Sequence, residues 1–209
     1  METMGNLRRT HYVGALRAQD AGTEMTVAGS IAKCRDKGGV IFADLRDTTG
    51  LLQLIFDDST AKDVFEKASH LKTEYVVMAK GVLREREAKT DKIPTGEVEL
   101  FVTELRVLSE AQTTPFEIRD EINVNDQLRL KYRYLDLRRP SMHEPIVMRS
   151  KIGKVIRDYY EENHFYEIET PMLIKSTPEG ARDYLVPSRV QQGRFYALPQ
   201  SPQLYKQLL

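Results

Sequence analysis

Apolar and polar positions alternate through most of residues 23–109, in segments short enough to be strands. Residues 25–34 (MTVAGSIAKC) alternate in part, and residues 39–47 (GVIFADLRD) resume the pattern after the turn-prone Asp36-Lys37-Gly38-Gly39. Thr49-Gly50 then turns the chain into residues 51–56 (LLQLIF). Three strands joined so tightly predict an antiparallel meander. The period changes in residues 59–71, where Val64, Ala68 and Leu71 recur at helical intervals behind a Ser59 cap. Strands return at residues 75–86 and, after a polar loop holding Pro94 and Gly96, at residues 97–109.

Five strands with a helix between the third and fourth predict an OB-fold over residues 1–110, a small Greek-key β-barrel used on single-stranded nucleic acid. An SH3-like barrel is the rival, but it would not place a helix of three turns there. Residues 111–140 change character and read as a hinge. Their last part, RLKYRYLDLRRP, packs five basic residues among two tyrosines and three leucines. Such interleaving suits RNA contact; it equally suits an amphipathic joint whose Leu and Tyr face a core.

Residues 141–209 predict an α+β region. Ser141-x-x-Glu144 has the form of a capping box, with Pro145 in the first turn. The helix it opens, reaching Asn163, places Met148, Ile152, Val155, Ile156 and Tyr159 on one face. FYEIETPMLI then reads as extended, and Pro171, lacking a ladder N–H, suits an edge strand or an interface. Ser201-Pro202 is a helix start, with a hydroxyl N-cap and Pro at the first helical position. About two turns follow before Leu209, without a C-cap, so the chain is expected to be incomplete in mid-element.

Lys plus Arg and Asp plus Glu both number 31, so any nucleic-acid-binding surface must be local rather than a bulk charge effect. The single Cys34 excludes an internal disulfide and a multi-cysteine metal site, and a lone thiol suits a reducing compartment. No apolar run approaches the roughly 20 residues that cross a bilayer, and the first residues lack an apolar signal core. A cytoplasmic protein is expected.

Candidate chemistry is sparse. The four histidines are scattered without ligand spacing, and no Walker-type loop or GxGxxG occurs. Glu179, Arg182 and Asp183 follow Thr177-Pro178 in a loop with Gly180. That loop could close over a ligand with Glu179 facing an ammonium group, or be a solvated surface loop. Gln203 and Lys206 share a helix face and could meet one small ligand, or merely face solvent. In the barrel, Phe42 lies beside Arg46, with Gln53 on the next strand. An exposed ring with an amide neighbour offers an unstacked base a π-face and an edge partner, whereas a core Phe42 would do neither.

Taken together, RLKYRYLDLRRP, FYEIETPMLIKSTPEGARDYLVPSRV and FYALPQSPQLYKQLL closely resemble the bacterial type of aspartyl-tRNA synthetase, and the resemblance runs from His11-Tyr12 onward. It implies an N-terminal OB-fold anticodon-binding domain followed by the start of a class II antiparallel-sheet catalytic domain. The long helix and the segment ending at Pro171 match the dimer-forming motif, so a homodimer is implied. Glu179 matches the loop near the aspartate ammonium. Ser201, Gln203 and Lys206 match the segment that reads L-aspartate, with Lys206 on the side-chain carboxylate. Arg35, Phe42, Gln53, Arg86 and Glu99 match anticodon-contacting positions. The implied function is aspartate–tRNA ligation with ATP and Mg²⁺, the partners being tRNA for aspartate and, as an open option, for asparagine. The turn residue Lys37 bears on that option.

Two departures stand out. Gly29-Ser30-Ile31-Ala32-Lys33-Cys34-Arg35 replaces the family's usual Gly-Trp-Val followed by several arginines. The motifs carrying the ATP-binding arginines would lie beyond Leu209, so no catalytic residue is expected within these residues, and they alone are not expected to form aspartyl-adenylate. A standalone RNA-binding or regulatory module is the alternative function. A lysyl or asparaginyl relative is a third, although Lys206 and PEGARDYLVPSR fit an acidic substrate better.

Overall fold

A computed structural model describes residues 1–177 and 182–209. The chain divides into two compact units, Met1–Pro140 and Ser141–Leu209.

In the first unit, β1 (Glu24–Asp36), β2 (Ile41–Arg46), β3 (Leu51–Phe56), β4 (Val76–Glu85) and β5 (Val98–Ser109) close into a barrel of order β1-β2-β3-β5-β4. The meander β1-β2-β3 is antiparallel as the pattern predicts, and β3 meets β5 in parallel, with Gln53 opposite Glu99. Inward positions alternate along each strand: Ile41, Ala43 and Leu45 on β2 are all at most 1% exposed. Leu52, Leu54, Phe56, Leu83 and Leu100 join them in one buried cluster. Each buried Leu, Ile or Phe side chain among them contributes about 1.5–3 kcal/mol on burial.

β1 is long because it serves two partners, pairing with β4 from Glu24 to Ser30 and with β2 from Ser30 to Asp36. The crossing needs Gly29: a Cβ there would lie 2.2 Å from the Arg46 carbonyl oxygen. Immediately afterwards Ile31 pairs with Leu45 but Lys33 pairs with Asp44, so Ala32 is an extra residue, a β-bulge. The bulge reverses the inward–outward parity for the rest of the strand. Cys34 packs against the core, and Lys33 and Arg35 take the outer side.

Helix α1 (Lys62–Ser69) lies between β3 and β4, as predicted, and buries Val64 and Ala68. It is shorter than the pattern implies, and Ser59 is not its cap; Ala61 holds that place. Asp57 captures the residues ahead of it: Oδ1 accepts from the Ser59 amide at 3.0 Å, while Thr60 Oγ1 accepts from the Asp57 amide at 3.0 Å. This local turn competes with the helix for the same polar groups.

Residues 111–140 contain two short helices, α2 (Asp126–Lys131) and α3 (Arg133–Asp136). Asn125 caps α2 by accepting from the Leu128 amide at 2.8 Å. Both readings of the basic stretch keep some ground. Leu135 is buried, whereas Leu130 and Tyr134 are exposed. Its charge is partly consumed internally: the fully buried Asp136 accepts from Arg129 at 3.0 Å, from Arg139 at 2.8 Å and from Arg133. Arg139 also bonds the Arg119 carbonyl at 3.0 Å, tying the incoming loop to the helices.

The long helix α4 (Pro140–Glu162) lies, but for its first residue, in the second unit. Ser141 is not the residue that precedes the helix, because the helix already begins at Pro140 and Ser141 lies inside it. A proline suits a first helical position, where the amide hydrogen has no intrahelical partner. Pro145 consequently falls within the helix rather than in its first turn. The predicted apolar face is exposed, with Met148, Ile152, Val155, Ile156 and Tyr159 each at least 50% accessible. His164, at φ 66°, breaks the helix just beyond its end.

The segment 165–173 is not a strand; pairing begins only at Ile174, which forms an isolated bridge with Ala197. Pro171 cannot donate to a ladder, and it lies exposed ahead of that bridge. β6 (Tyr184–Pro187) and β7 (Phe195–Leu198) form an antiparallel pair. Helix α5 (Gln203–Lys206) is a single turn with Pro202, not Ser201, at its N-cap. Ser201 still caps in substance, its Oγ accepting from the Gln203 amide at 3.1 Å.

Candidate nucleic-acid interface

Five residues singled out in the barrel converge on one groove. Arg35, Phe42, Gln53, Arg86 and Glu99 all line an open depression of about 290 Å³ on the outer face. Register explains the convergence. Arg35 is opposite Phe42, Asp44 is opposite Gln53, Gln53 is opposite Glu99, and Arg84 is opposite Glu99. Residues directly opposite one another share a face, so a row of polar side chains runs across four strands.

Phe42 settles the alternative left open by its sequence position. It is half-buried beside fully buried neighbours on β2, so its ring belongs to the groove rather than to the barrel core. Arg35 reaches the same place because of the bulge at Ala32; without the extra residue, alternation would aim it inward.

The floor is a chain of hydrogen bonds. Gln53 Nε2 donates to Glu99 Oε2 at 2.7 Å, and Gln53 Oε1 accepts from Arg86 Nη2 at 2.8 Å and from Arg35 Nη2 at 3.4 Å. Arg35 Nη2 also meets Asp44 Oδ1 at 2.7 Å. Arg84 Nε donates to the other Glu99 oxygen at 3.0 Å. Gln53 and Glu99 are buried, at 4% and 3% exposure, so their edges are fixed and only a narrow part faces outward. Burial pushes the Asp57 carboxyl up, but hydrogen bonds from Ser59 and the adjacent Arg84 outweigh it and hold it below the ordinary aspartate value. Burial also pushes up the Cys34 thiol, which is therefore neutral at neutral pH.

Arg35, Lys37, Arg84 and Arg86 line the groove against the carboxylates of Asp57, Glu87 and Glu99, a cationic excess of one. The Nε atoms of Arg35 and Arg86 are buried without a hydrogen-bond partner. Donors thus outnumber acceptors, under an accessible aromatic ring. This arrangement can stack one base and meet the edges of its neighbours. Arg84, Asp44 and Asp57 join the network without having been singled out by sequence. Alternation carried the signal for Arg84, which lies two residues before Arg86, itself just past the end of β4; both line the groove.

In the second unit, Ser201 and Pro171 both border an apolar groove of about 320 Å³, together with Ile174 and Tyr205. Gln203 and Lys206 lie on the adjacent single turn, exposed. Asp183 Oδ2 accepts from Ser176 Oγ at 2.9 Å and from the Thr177 amide at 3.1 Å. Glu179 lies outside the described residues. Among the described residues no group of His, Cys, Asp and Glu side chains could hold a metal ion, and no helix is long and apolar enough to cross a membrane.

Comparisons with known proteins match two families along the chain. Residues 25–108 match the family described as OB-fold nucleic acid binding domain, and residues 125–209 match tRNA synthetases class II (D, K and N). The aspartate–tRNA(Asp/Asn) ligase of Caldanaerobacter subterraneus subsp. tengcongensis is 52% identical over 210 residues, covering 100% of this chain and 36% of its own length. Aspartate–tRNA ligase 2 of Streptococcus mutans is 52% identical over 204 residues, covering 97% of this chain and 35% of its own length. The chain thus spans about a third of the curated relatives it matches. Two solved structures share the fold at 23–24% identity. The Pyrococcus horikoshii asparaginyl-tRNA synthetase complexed with asparaginyl-adenylate has a TM-score of 0.78, covering 95% of this chain and 44% of that one. The aspartyl tRNA synthetase of Entamoeba histolytica has a TM-score of 0.75, covering 98% and 43%. With an OB-fold barrel, a class II tRNA synthetase match over residues 125–209 and curated relatives matching it end to end, the chain is a homologue of the aspartate–tRNA ligases over about a third of their length.

Proposed function

We propose that the chain supplies the anticodon-reading part, and one side of the amino-acid site, of an aspartate–tRNA ligase. The single observation that carries this reading is the groove under Phe42, where Arg35, Gln53, Arg86 and Glu99 present fixed polar edges beside an accessible ring. In this reading residues 1–110 bind the anticodon, residues 111–140 form the hinge, and residues 141–209 begin the catalytic domain. Phe42 stacks on one anticodon base. Arg35, Gln53, Arg86 and Glu99 contact base edges and phosphate.

Ser201, Gln203 and Lys206 bind L-aspartate, Lys206 through the side-chain carboxylate and Glu179 through the ammonium. That division of charge suits an amino acid with two carboxylates and one amine. The longer protein would use ATP and Mg²⁺ to activate aspartate before transfer to tRNA. None of these residues is assigned to the nucleotide or to the metal. The exposed face of α4, with Pro171 beyond it, is the homodimer surface, and the cytoplasm is the expected location.

The test is binding of an anticodon-arm hairpin carrying GUC, the triplet complementary to the aspartate codon GAC, against the same hairpin with a scrambled loop. Preference for GUC, reduced by Gln53→Ala, is expected. Equal binding of both loops would overturn the reading. Charging of aspartate and asparagine tRNA by the longer protein decides the breadth of its tRNA choice.

A further inference from the structure

Glu99 is a buried carboxylate whose surroundings dictate where its lone pairs point. Gln53 takes one oxygen and Arg84 the other, at 2.7 Å and 3.0 Å, and both come from directly opposed positions on the flanking strands. Arg84 is itself held. Its guanidinium lies 5.2 Å from the Phe101 ring centroid, and its Nη2 is 3.5 Å from Asp57 Oδ2. A planar cation fixed on both sides cannot follow the carboxylate if that group rotates, so the carboxylate must follow the cation.

We infer that Arg84 is a positioning residue for base recognition, locking the Glu99 carboxylate so that it accepts only from a base with a donor edge. The inference rests on the groove being a base reader. Each carboxylate oxygen has two lone pairs, and the donors of Gln53 and Arg84 use one on each. The remaining directions suit the N4 amino group of cytosine or the N1 and N2 hydrogens of guanine. They repel the O4 acceptor of uracil. Without Arg84, Glu99 would keep its hydrogen bond to Gln53 but lose the clamp on its second oxygen. It would then turn towards Arg86, the other guanidinium bonded to Gln53. The groove would still stack a base while losing its preference for amino edges.

The experiment uses the whole chain, variants R84M and R84K, and two anticodon-arm hairpins. One carries GUC. The other carries IUU, in which inosine lacks the guanine amino group and uracil lacks that of cytosine. Fluorescence anisotropy reads both affinities, and thermal melting checks each fold. Wild type is expected to prefer GUC by about ten-fold, the scale of one well-made edge contact. R84M should fall to a ratio near one by losing GUC affinity alone, and R84K should recover most of the preference. An undiminished ratio in R84M overturns the inference. So does an equal loss on both hairpins, which would make Arg84 merely structural. A wild type that binds neither hairpin, or both equally, instead overturns the base-reading assignment itself.

Discussion

Replacing Phe42 by Ala separates recognition from stability, because the ring sits on the groove side of a strand whose neighbouring residues are core. Base–aromatic stacking is worth about 1–3 kcal/mol. Phe42 is backed by Ile55, its cross-strand partner, which also lines the groove. A supported ring of this kind should give about 2 kcal/mol, or roughly a 30-fold loss of affinity. The stability cost is smaller than for a core aromatic. Removing a half-buried ring forfeits about half the burial of a whole one, near 1 kcal/mol. For the barrel as a unit that lowers Tm by about 4–8 °C. Both quantities come from one preparation: hairpin affinity by anisotropy well below the melting transition, and Tm by circular dichroism. A Kd within about two-fold of wild type, accompanied by a Tm fall beyond about 10 °C, would refute this assignment. It would place Phe42 in the core and the base elsewhere.

Asp136→Asn should destabilise the first unit by about 3 kcal/mol, since it leaves Arg129, Arg133 and Arg139 without their shared carboxylate; urea unfolding measures it. A loss below about 1 kcal/mol would mean that solvent screens the cluster. Stability should also fall in acid. Burial pushes the carboxyls of Asp47 and Asp136 up, but hydrogen bonds from backbone amides and Thr49 around the first, and from arginines around the second, hold both below their ordinary value. The Glu2 carboxyl is lowered chiefly by a hydrogen bond from Lys67. Groups with depressed folded-state values add stability above their unfolded values and lose it as pH falls through the folded ones. Tm should therefore be level from neutrality to about pH 5 and decline below about pH 4. A Tm that rises on acidification would contradict the assignment.

The barrel was legible because its chemistry is local. Alternation gave all five strands to within two residues at their ends, and Val64 and Ala68 face inward as their spacing implied. What misled were places where one polar group had two possible partners. Ser59 reads as a helix cap, but Asp57 lies closer in sequence and takes it into a turn. Ser141 reads as a cap too, yet Pro140 starts the helix one residue earlier. Segment 165–173 reads as extended, and without a ladder partner before Ile174 it forms no strand. The groove was half legible. Residue types at Phe42 and Gln53 suggested it, but no alternation rule reveals that Ala32 is a bulge and that Arg35 turns outward. Asp57 became visible only when the strands were laid side by side and its contact with Arg84 appeared.

The parallel pairing of β3 with β5 has a consequence for timing. The bond from Gln53 to Glu99 joins residues 46 apart in sequence, and the groove takes side chains from Arg35 through Glu99. A nascent chain that has emerged only through β4 owns the ring and two or three arginines, but not the carboxylate that orders them. Contacts so distant in sequence form late, after the cost of closing the intervening loop has been met. If the groove reads bases as proposed, discrimination should therefore switch on with the last strand, and a chain that has emerged only through β4 should attract RNA by charge before it can tell one loop from another.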